Sequence, residues 1–260
     1  MYQFFVEPHQ INVSDKSVII TGSDVNHIKN VLRMKTGERV RVSISYNGRS
    51  FFGVIDSITE DEVIVTIESE DETGTELANH IYLFQGLPKG DKMELIIQKA
   101  VELGVYEIIP VAMKNCVVKL DDKKAGNKVK RWQAISESAA KQSKRTLIPE
   151  VQMPLTWKEA MKKAEELDVV LVPYECERGM EATREIMQKI QPGQSIAIFI
   201  GPEGGFSPEE IEGICPTNKG EGFSQELEEK AYRVSLGRRI LRTETAGLAT
   251  LSMLIFCLDE

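Results

Sequence analysis

The chain has 260 residues, with 42% hydrophobic and 28% charged side chains and a formal net charge of -8. This composition is typical of a globular protein with one or two domains. The sequence shows no signal-peptide pattern and no apolar run long enough to span a membrane, so we expect a cytoplasmic protein without a membrane partner. Four scattered cysteines and only three histidines argue against a disulfide framework or a metal site.

Positive charge is concentrated in the middle of this acidic chain. Between Gly86 and Arg145 there are thirteen Lys or Arg against seven Asp or Glu, an excess of six, which leaves about -14 for the remainder. A basic segment on an acidic chain is typical of a localised RNA-binding face, or of a solvated helix surface.

Residues 1–70 are predicted to form a small β-barrel, because several short strand patterns surround one helix pattern. The predicted strands are Tyr2–Val6, Val18–Ile20, Arg39–Ser45, Phe51–Ser57 and Glu62–Glu68. The helix has Ser23 as a candidate N-cap and an apolar stripe formed by Val25, Ile28, Val31 and Leu32. An acidic segment without aromatic residues follows, and we interpret 71–79 as a linker that does not order itself.

From His80 onward, strand and helix patterns alternate, which predicts an α/β domain with a mainly parallel sheet. The strands are predicted at His80–Gln85, Tyr106–Pro110, Asp168–Pro173 and Ser195–Ile200. The helices are predicted at Asp91–Leu103, Asp122–Ser143, Leu155–Leu167, Glu181–Ile190 and in the final apolar run Ala246–Leu258.

A glycine-rich loop follows the buried strand Ser195–Ile200 and precedes a helix whose start is marked by Ser207, Pro208 and Glu210. This is the usual position of a ligand in an α/β sheet. The loop fits neither the dinucleotide-binding nor the P-loop pattern, and it contains Glu203 but no lysine. Phosphate binding by this loop is therefore disfavoured.

The segment Val234–Ala246 combines a strand end, a turn at Gly237, three arginines and the start of the last helix. Arg242 lies where the helix dipole disfavours a cation, which indicates either a functional task or a solvated arginine.

These two segments resemble the motifs of the SPOUT methyltransferases. The similarity rests on Gly201–Gly205 (GPEGG) together with Leu236–Ala246 (LGRRILRTETA), and it extends to Gly86–Asp91, Gln98–Gly104 and Ala139–Ser143. The most similar family methylates N3 of a uridine in small-subunit (16S) ribosomal RNA, uridine 1498 in the standard numbering of that RNA. The resemblance implies a PUA-like RNA-binding barrel at 1–70, a linker at 71–79 and a trefoil-knotted methyltransferase domain at 80–260.

The resemblance also implies S-adenosylmethionine as cofactor, no metal, and a homodimer whose second subunit completes the pocket. By analogy, the cofactor is enclosed by three loops, and apolar side chains surround its adenine. The implied loops are Val172–Glu175, Ile200–Gly205 and Val234–Leu241. The implied cofactor-binding residues are Leu171, Pro173, Ile200, Gly201, Glu203, Gly204, Gly205, Leu236, Gly237, Ile240, Leu241, Thr245 and Ala246. Their glycines are expected to leave space for the cofactor.

Methylation at uracil N3 requires removal of a proton or stabilisation of the anion, and the base must be single-stranded or flipped out. We expect Arg242 to stabilise the anion through the uracil carbonyl oxygens. Glu244 is the candidate general base, with Glu203 as runner-up. Alternatively, Glu244 caps the last helix and Glu203 supports the glycine loop.

The partner implied by the family is 16S ribosomal RNA, either naked or in the assembled small subunit. Basic side chains would bind its phosphates, and Gln142 could read a base edge. The candidate RNA-binding residues are Arg33, Lys89, Lys92, Lys99, Lys141, Gln142 and Arg145.

Three other functions compete with uridine-N3 methylation. These are ribose 2′-hydroxyl methylation by a SPOUT enzyme, RNA binding without catalysis, and nicotinamide-dependent oxidoreduction, which the missing phosphate loop disfavours. The segment Pro216–Glu229 departs from the family pattern, because it is longer and more polar than expected between the two motifs.

Overall fold

The computed structural model describes residues 1–12, 14–44, 48–72 and 74–259. They divide into two compact units. The first contains Met1–Glu76 and Ala140–Ile148, and the second contains Leu77–Ala139 and the chain from Pro149 onward. The return of 140–148 to the first unit differs from the predicted boundaries. Nothing in the pattern of the long helix Asp122–Ser143 marks the point at which its last residues change unit.

The first unit is built on a six-stranded mixed sheet. Its strands are β1 (Tyr2–Val6), β2 (Ile11–Asn12), β3 (Ser17–Thr21), β4 (Arg39–Ile44), β5 (Ser50–Ile58) and β6 (Glu62–Glu70). Their order is β1-β4-β5-β6-β3-β2, with β1 parallel to β4 and the other pairs antiparallel. Alternating apolar residues of these strands form its core. The predicted strands lie within this sheet, except that Ser45 is outside the described residues.

The helix of the first unit differs from the prediction at its C-terminal end. A short α-helix, α1 (Ser23–Asn26), begins after Gly22 and continues as the π-helix His27–Val31, in which Leu32 N–H donates to the carbonyl oxygen of His27. The wider π turn shifts the helical register. Val25 and Ile28 are therefore buried, whereas Val31 is 60% exposed and lies off the predicted apolar stripe.

The acidic segment after β6 is held by ion pairs, contrary to the prediction that it does not order itself. Asp71 pairs with Arg41, and both side chains are 7% exposed. Glu76 accepts hydrogen bonds from the Arg145 side chain and from the backbone N–H of Thr146. Buried, hydrogen-bonded charge pairs compensate here for the lack of apolar side chains.

The second unit contains a parallel sheet in the order β10-β8-β7-β12-β11-β13, with β9 beside β8. The strands are β7 (His80–Gly86), β8 (Glu107–Ala112), β9 (Glu150–Val151), β10 (Leu155–Thr156), β11 (Val169–Pro173), β12 (Ser195–Ile200) and β13 (Ala231–Val234). The central strands are buried almost continuously, as expected for a parallel sheet covered on both faces. Phe84 and Phe199 stack on neighbouring strands with ring centroids 4.3 Å apart.

Besides α1, the π-helix and the 3₁₀ helix Pro8–Gln10, seven α-helices are described in the chain. They are α2 (Lys92–Glu102), α3 (Asp122–Ser143), α4 (Trp157–Ala164), α5 (Glu181–Lys189), α6 (Pro208–Ile214), α7 (Gln225–Lys230) and α8 (Thr243–Leu258). The capping boxes predicted from Thr156 and Ser207 are present, because each hydroxyl accepts from the backbone N–H three residues later. Among the helices of residues 1–12, 14–44, 48–72 and 74–259, none is long and apolar enough to cross a membrane.

Helix α7 was not predicted, since it lies in the polar segment Pro216–Glu229. Ser224 caps it, and the carboxylate of Glu228 accepts from the backbone N–H groups of Gly220 and Gly222. Local hydrogen bonds therefore order this segment without an apolar core of its own.

Candidate functional site

A cavity of about 410 Å³ opens at the carboxyl ends of the neighbouring strands β11, β12 and β13. Parallel strands end at the same edge of a sheet, so three loops that are distant in sequence meet there. The loop after β11 begins at Tyr174, the glycine loop runs from Gly201 to Gly205, and the third loop is Leu236–Leu241. The two motifs of the sequence thus form one pocket.

Thr243 joins the third loop to the centre of the sheet. Its hydroxyl donates to the carbonyl oxygen of Gly201 at 2.7 Å and accepts from Gln85 Nε2 at 2.9 Å. Thr243 is 6% exposed and Gln85 is fully buried. One hydroxyl therefore connects the first turn of α8 to the glycine loop and to β7, and it fixes one wall of the pocket.

The glycines of the loop are required for its folding as much as for space in the pocket. A Cβ on Gly204 would lie 3.0 Å from Cβ of Asn115, whose side-chain amide donates to the carbonyl oxygens of Gly204 and Gly205. Gly205 has φ +66°, in the left-handed region that favours glycine. The missing side chain of Gly204 thus leaves room for Asn115, and the role of Gly204 in cofactor binding stays a prediction.

Most of the implied cofactor-binding residues line the pocket. Those on its wall are Pro173, Ile200, Gly201, Glu203, Gly205, Leu236, Gly237, Ile240, Leu241 and Ala246. Leu171, Gly204 and Thr245 are not among the lining residues. Leu171 is fully buried inside β11, two residues before the strand ends, and Thr245 is exposed on α8.

Lys92 binds two carboxylates beside the pocket. Its Nζ lies 2.9 Å from Oε1 of Glu203 and 3.3 Å from Oε2 of Glu244. Glu203 also accepts from the backbone N–H of Lys89. Although burial alone raises the pKa of Glu203, the hydrogen bonds from Lys92 and from backbone N–H groups outweigh it and hold that pKa below its ordinary value. Glu203 therefore stays ionised at neutral pH.

The two predicted catalytic residues are placed differently. Arg242 is the N-cap of α8, is exposed and lines the pocket. Glu244 is not among the lining residues, and its side chain is 16% exposed behind Lys92. Its Oε2 is buried and meets Lys92 at ion-pair distance but without hydrogen-bond geometry. Of the two candidate bases, the runner-up Glu203 is the one on the wall.

The predicted RNA-binding residues are mostly paired within their own units. Lys99 pairs with Glu102, and Lys141 pairs with Asp24. The prediction that Arg145 binds RNA is wrong, because its side chain is 4% exposed and is bonded to Glu76. No face of the guanidinium group is open to a phosphate. The exposed ones are Arg33, Lys89 and Gln142. Arg33 has φ +54°, an uncommon conformation for a residue other than glycine.

Sequence reasoning missed several residues of the pocket. Those outside the three implied loops are Glu177, Arg178, Phe206 and Thr243, whereas Tyr174, Glu175, Pro202, Arg238 and Arg239 lie in those loops but were not named individually. The two adjacent arginines lie inside a motif that we had already singled out, so their position was a usable signal. The family resemblance implied the loop after β11 only as far as Glu175. The parallel pairing of β11 with β12 and β13 also brings Glu177 and Arg178 to the pocket.

Comparison with known proteins identifies the class. The sequence-family model of the RNA methyltransferase domain matches residues 75–255. The family model of the RNA methyltransferase PUA domain matches residues 20–68. Fold and site are thus those of an RNA methyltransferase with an N-terminal PUA domain. Ribosomal RNA small subunit methyltransferase E of Bacillus subtilis (strain 168) is 35% identical, with 98% of this chain and 96% of the relative covered. The chain belongs to the ribosomal RNA small subunit methyltransferase E family.

Two further relatives agree over nearly the whole chain. The protein of the same name from Mesomycoplasma hyopneumoniae (strain 232) is 33% identical, with 98% of this chain and 99% of the relative covered. The crystal structure of the Neisseria gonorrhoeae protein of that name, bound to S-adenosylmethionine, has a TM-score of 0.79 at 29% identity. It covers 99% of this chain and 98% of that chain. The predicted family and fold class are confirmed.

Proposed function

We propose that this protein transfers a methyl group from S-adenosylmethionine to N3 of a uridine in 16S ribosomal RNA. The observation that carries the proposal is the single pocket formed by Gly201–Gly205 and Leu236–Leu241, with Arg242 on its wall. The small-subunit RNA is the substrate in the names of the relatives, and N3 is the position implied by the family resemblance.

The pocket fits S-adenosylmethionine in size and chemistry. Its volume of about 410 Å³ lies in the range of small-molecule sites. Ile200, Leu236, Ile240 and Leu241 supply an apolar wall for an adenine, and the loop backbones supply hydrogen-bonding groups. Ile240 is 82% exposed, and a bound ligand would cover it. When bound, the cofactor supplies an activated methyl group on a cationic sulfur.

The residues of the chain then have to position the uracil and remove its N3 proton. The N3–methyl bond forms as the bond from methyl to sulfur breaks, and the proton leaves to a base. Arg242 can donate to the uracil carbonyl oxygens and stabilise the negative charge that develops on them. Glu203 is the ionised carboxylate on the wall, and Lys92 connects it to Glu244. We therefore assign the proton to this carboxylate pair, with Glu203 nearer to the pocket.

Cofactor binding is tested by titrating the protein with S-adenosylmethionine in a calorimeter. Ala246 lies on the pocket wall in the first turn of α8. The substitution Ala246→Phe keeps a helix-compatible residue but places an aromatic ring where the ligand would lie, so we expect binding to be abolished. Ala182→Phe is the control, since Ala182 is exposed on α5 and does not line the pocket. Equal affinity of both variants would contradict this location of the cofactor.

The reaction itself is tested by incubating the protein with small-subunit RNA and labelled cofactor, followed by digestion of the RNA to nucleosides. We expect the label in N3-methyluridine. Label in a 2′-O-methylated nucleoside would show that the protein methylates the ribose 2′-hydroxyl and not N3 of the base. Cofactor binding without any labelled RNA, for both naked RNA and assembled subunits, would argue against the proposed substrate.

We also propose that the protein is a homodimer that uses the outer face of α8. Apolar residues occupy every side of this helix: Leu251 and Leu254 are buried, whereas Phe256 is 90% exposed. A helix that is apolar all round is normally covered on all sides. A second copy of the chain can cover the exposed side, and the family resemblance implies a homodimer.

The substitution Phe256→Asp tests this proposal. A carboxylate in the centre of an apolar interface loses its hydration without gaining a partner, so we expect the dimer to dissociate. Sedimentation velocity measures the result. Val117→Asp is the matched control, because Val117 is 68% exposed but lies outside α8. A wild-type protein that sediments as a monomer would contradict the proposal.

A further inference from the structure

Four arginines surround the mouth of the pocket, and all four are exposed. They are Arg178 from the loop after β11, Arg238 and Arg239 from the third loop, and Arg242 from the start of α8. Within the described part of the chain, none of their side chains forms a hydrogen bond or an ion pair. The pocket mouth therefore presents four guanidinium groups without protein partners.

Unpaired arginine is uncommon elsewhere in this protein, which has 40 acidic residues. Six of its other arginines pair with carboxylates, namely Arg39, Arg41, Arg49, Arg131, Arg145 and Arg233. Only Arg33 and Arg184 also lack such a partner among the described residues. Several candidate lysines are paired too, including Lys92, Lys99 and Lys141. Arginines available to an external anion are thus concentrated around the pocket.

The acidic groups at the mouth do not cancel this charge. Glu175, Glu177 and Glu203 line the pocket, and Glu203 is already paired with Lys92. Two carboxylates then face four arginines, in a chain whose net charge is -8. A guanidinium group offers a planar fork of donors that matches a phosphate. A strand of RNA whose base enters the pocket has a phosphate on each side of that base.

We propose that Arg178, Arg238 and Arg239 form a phosphate-binding rim that holds the RNA strand on either side of the nucleotide to be methylated. The inference rests on the proposed function and adds the residues that receive the RNA. Arg242, at the helix start beside Thr243, is assigned to the uracil and not to a phosphate. The charge of the segment Gly86–Arg145 predicted an RNA-binding face there, but the rim lies outside this segment.

The rim is tested with the triple variant Arg178→Gln, Arg238→Gln, Arg239→Gln. Its affinity for a fluorescent, uridine-containing single-stranded oligoribonucleotide of about 12 nucleotides is measured by anisotropy at several salt concentrations. The slope of log K against log salt is negative, and each lost contact reduces its magnitude by about 0.7. Loss of three contacts therefore reduces the magnitude by roughly 2 and weakens binding about 100-fold near 0.1 M salt. The exposed Arg184 on α5 provides the control, Arg184→Gln, with wild-type affinity expected.

Two further measurements separate the rim from other roles of these arginines. The corresponding triple lysine variant keeps the charges and should retain the salt slope of the wild type. The glutamine variant should bind S-adenosylmethionine as the wild type does in calorimetry and should keep the same sedimentation coefficient. Loss of cofactor affinity would assign the arginines to the cofactor carboxylate, and dissociation would assign them to a subunit interface. Either result would contradict the proposal that these arginines bind phosphates of the RNA.

Failure of the rim and failure of the proposed function give different results. If the wild type binds the cofactor and methylates RNA, and the glutamine variant binds RNA with the same affinity and slope, only the rim is wrong. If the wild type binds RNA through these arginines but does not bind the cofactor, the rim stands and the proposed methyl transfer is wrong.

Discussion

Replacement of Arg242 by alanine is expected to lower the turnover number for methyl transfer by about 100-fold to 1,000-fold. Arg242 is the exposed N-cap of α8 on the pocket wall, and no described carboxylate pairs with it. Loss of a donor aimed at a developing negative charge weakens the transition state more than the bound substrate. Single-turnover methylation of small-subunit RNA at saturating cofactor measures the effect on the chemical step.

Two comparisons distinguish this role from simple attraction of RNA. Arg242→Lys keeps the positive charge but loses the fork of donors, so we expect it to recover RNA affinity without recovering the rate. Arg242→Ala should bind S-adenosylmethionine with the affinity of the wild type. A variant whose entire loss is a higher KM, with an unchanged turnover number, would show that Arg242 only holds the RNA.

Replacement of Thr243 by valine is expected to destabilise the second unit by about 1–3 kcal/mol. The hydroxyl of Thr243 bonds Gly201 O at 2.7 Å and Gln85 Nε2 at 2.9 Å, in a buried position. Valine has nearly the same shape, so Gly201 O and Gln85 Nε2 each lose one hydrogen bond. Because Gln85 Nε2 keeps its bond to Gly86 O at 3.0 Å, the main cost is the unpaired carbonyl of Gly201. Each unsatisfied buried group costs on the order of 1–3 kcal/mol.

Urea unfolding followed by tryptophan fluorescence measures this loss. The two tryptophans, Trp132 and Trp157, both belong to the second unit, so the signal reports on that unit. Thr245→Val is the matched control, since Thr245 is exposed two residues later on the same helix and forms no described side-chain hydrogen bond. Similar free energies of unfolding for Thr243→Val and the wild type would show that the bridge contributes no net stability.

Local chemistry explains which parts of the fold could be predicted. Strand β12 was predicted with its observed bounds, because a continuous apolar run of five residues, Ile196–Ile200, ends at a glycine. The helix Asp122–Ser143 was also predicted with its observed bounds. The capping boxes at Thr156 and Ser207 depend on residues only three positions apart, so they are visible without tertiary structure. The π-helix at His27–Val31 leaves no comparable signal, and the exposure of Val31 was missed.

For the site, the sequence by itself determined the two motifs and most of the pocket wall. Only the tertiary structure decided which charges remain available to a ligand, because ion pairs form between residues far apart in the chain. Lys92 was predicted to bind RNA but meets Glu203 and Glu244, and Arg145 meets Glu76. Arg178 has no motif of its own and reaches the pocket because parallel strands end at one edge of the sheet.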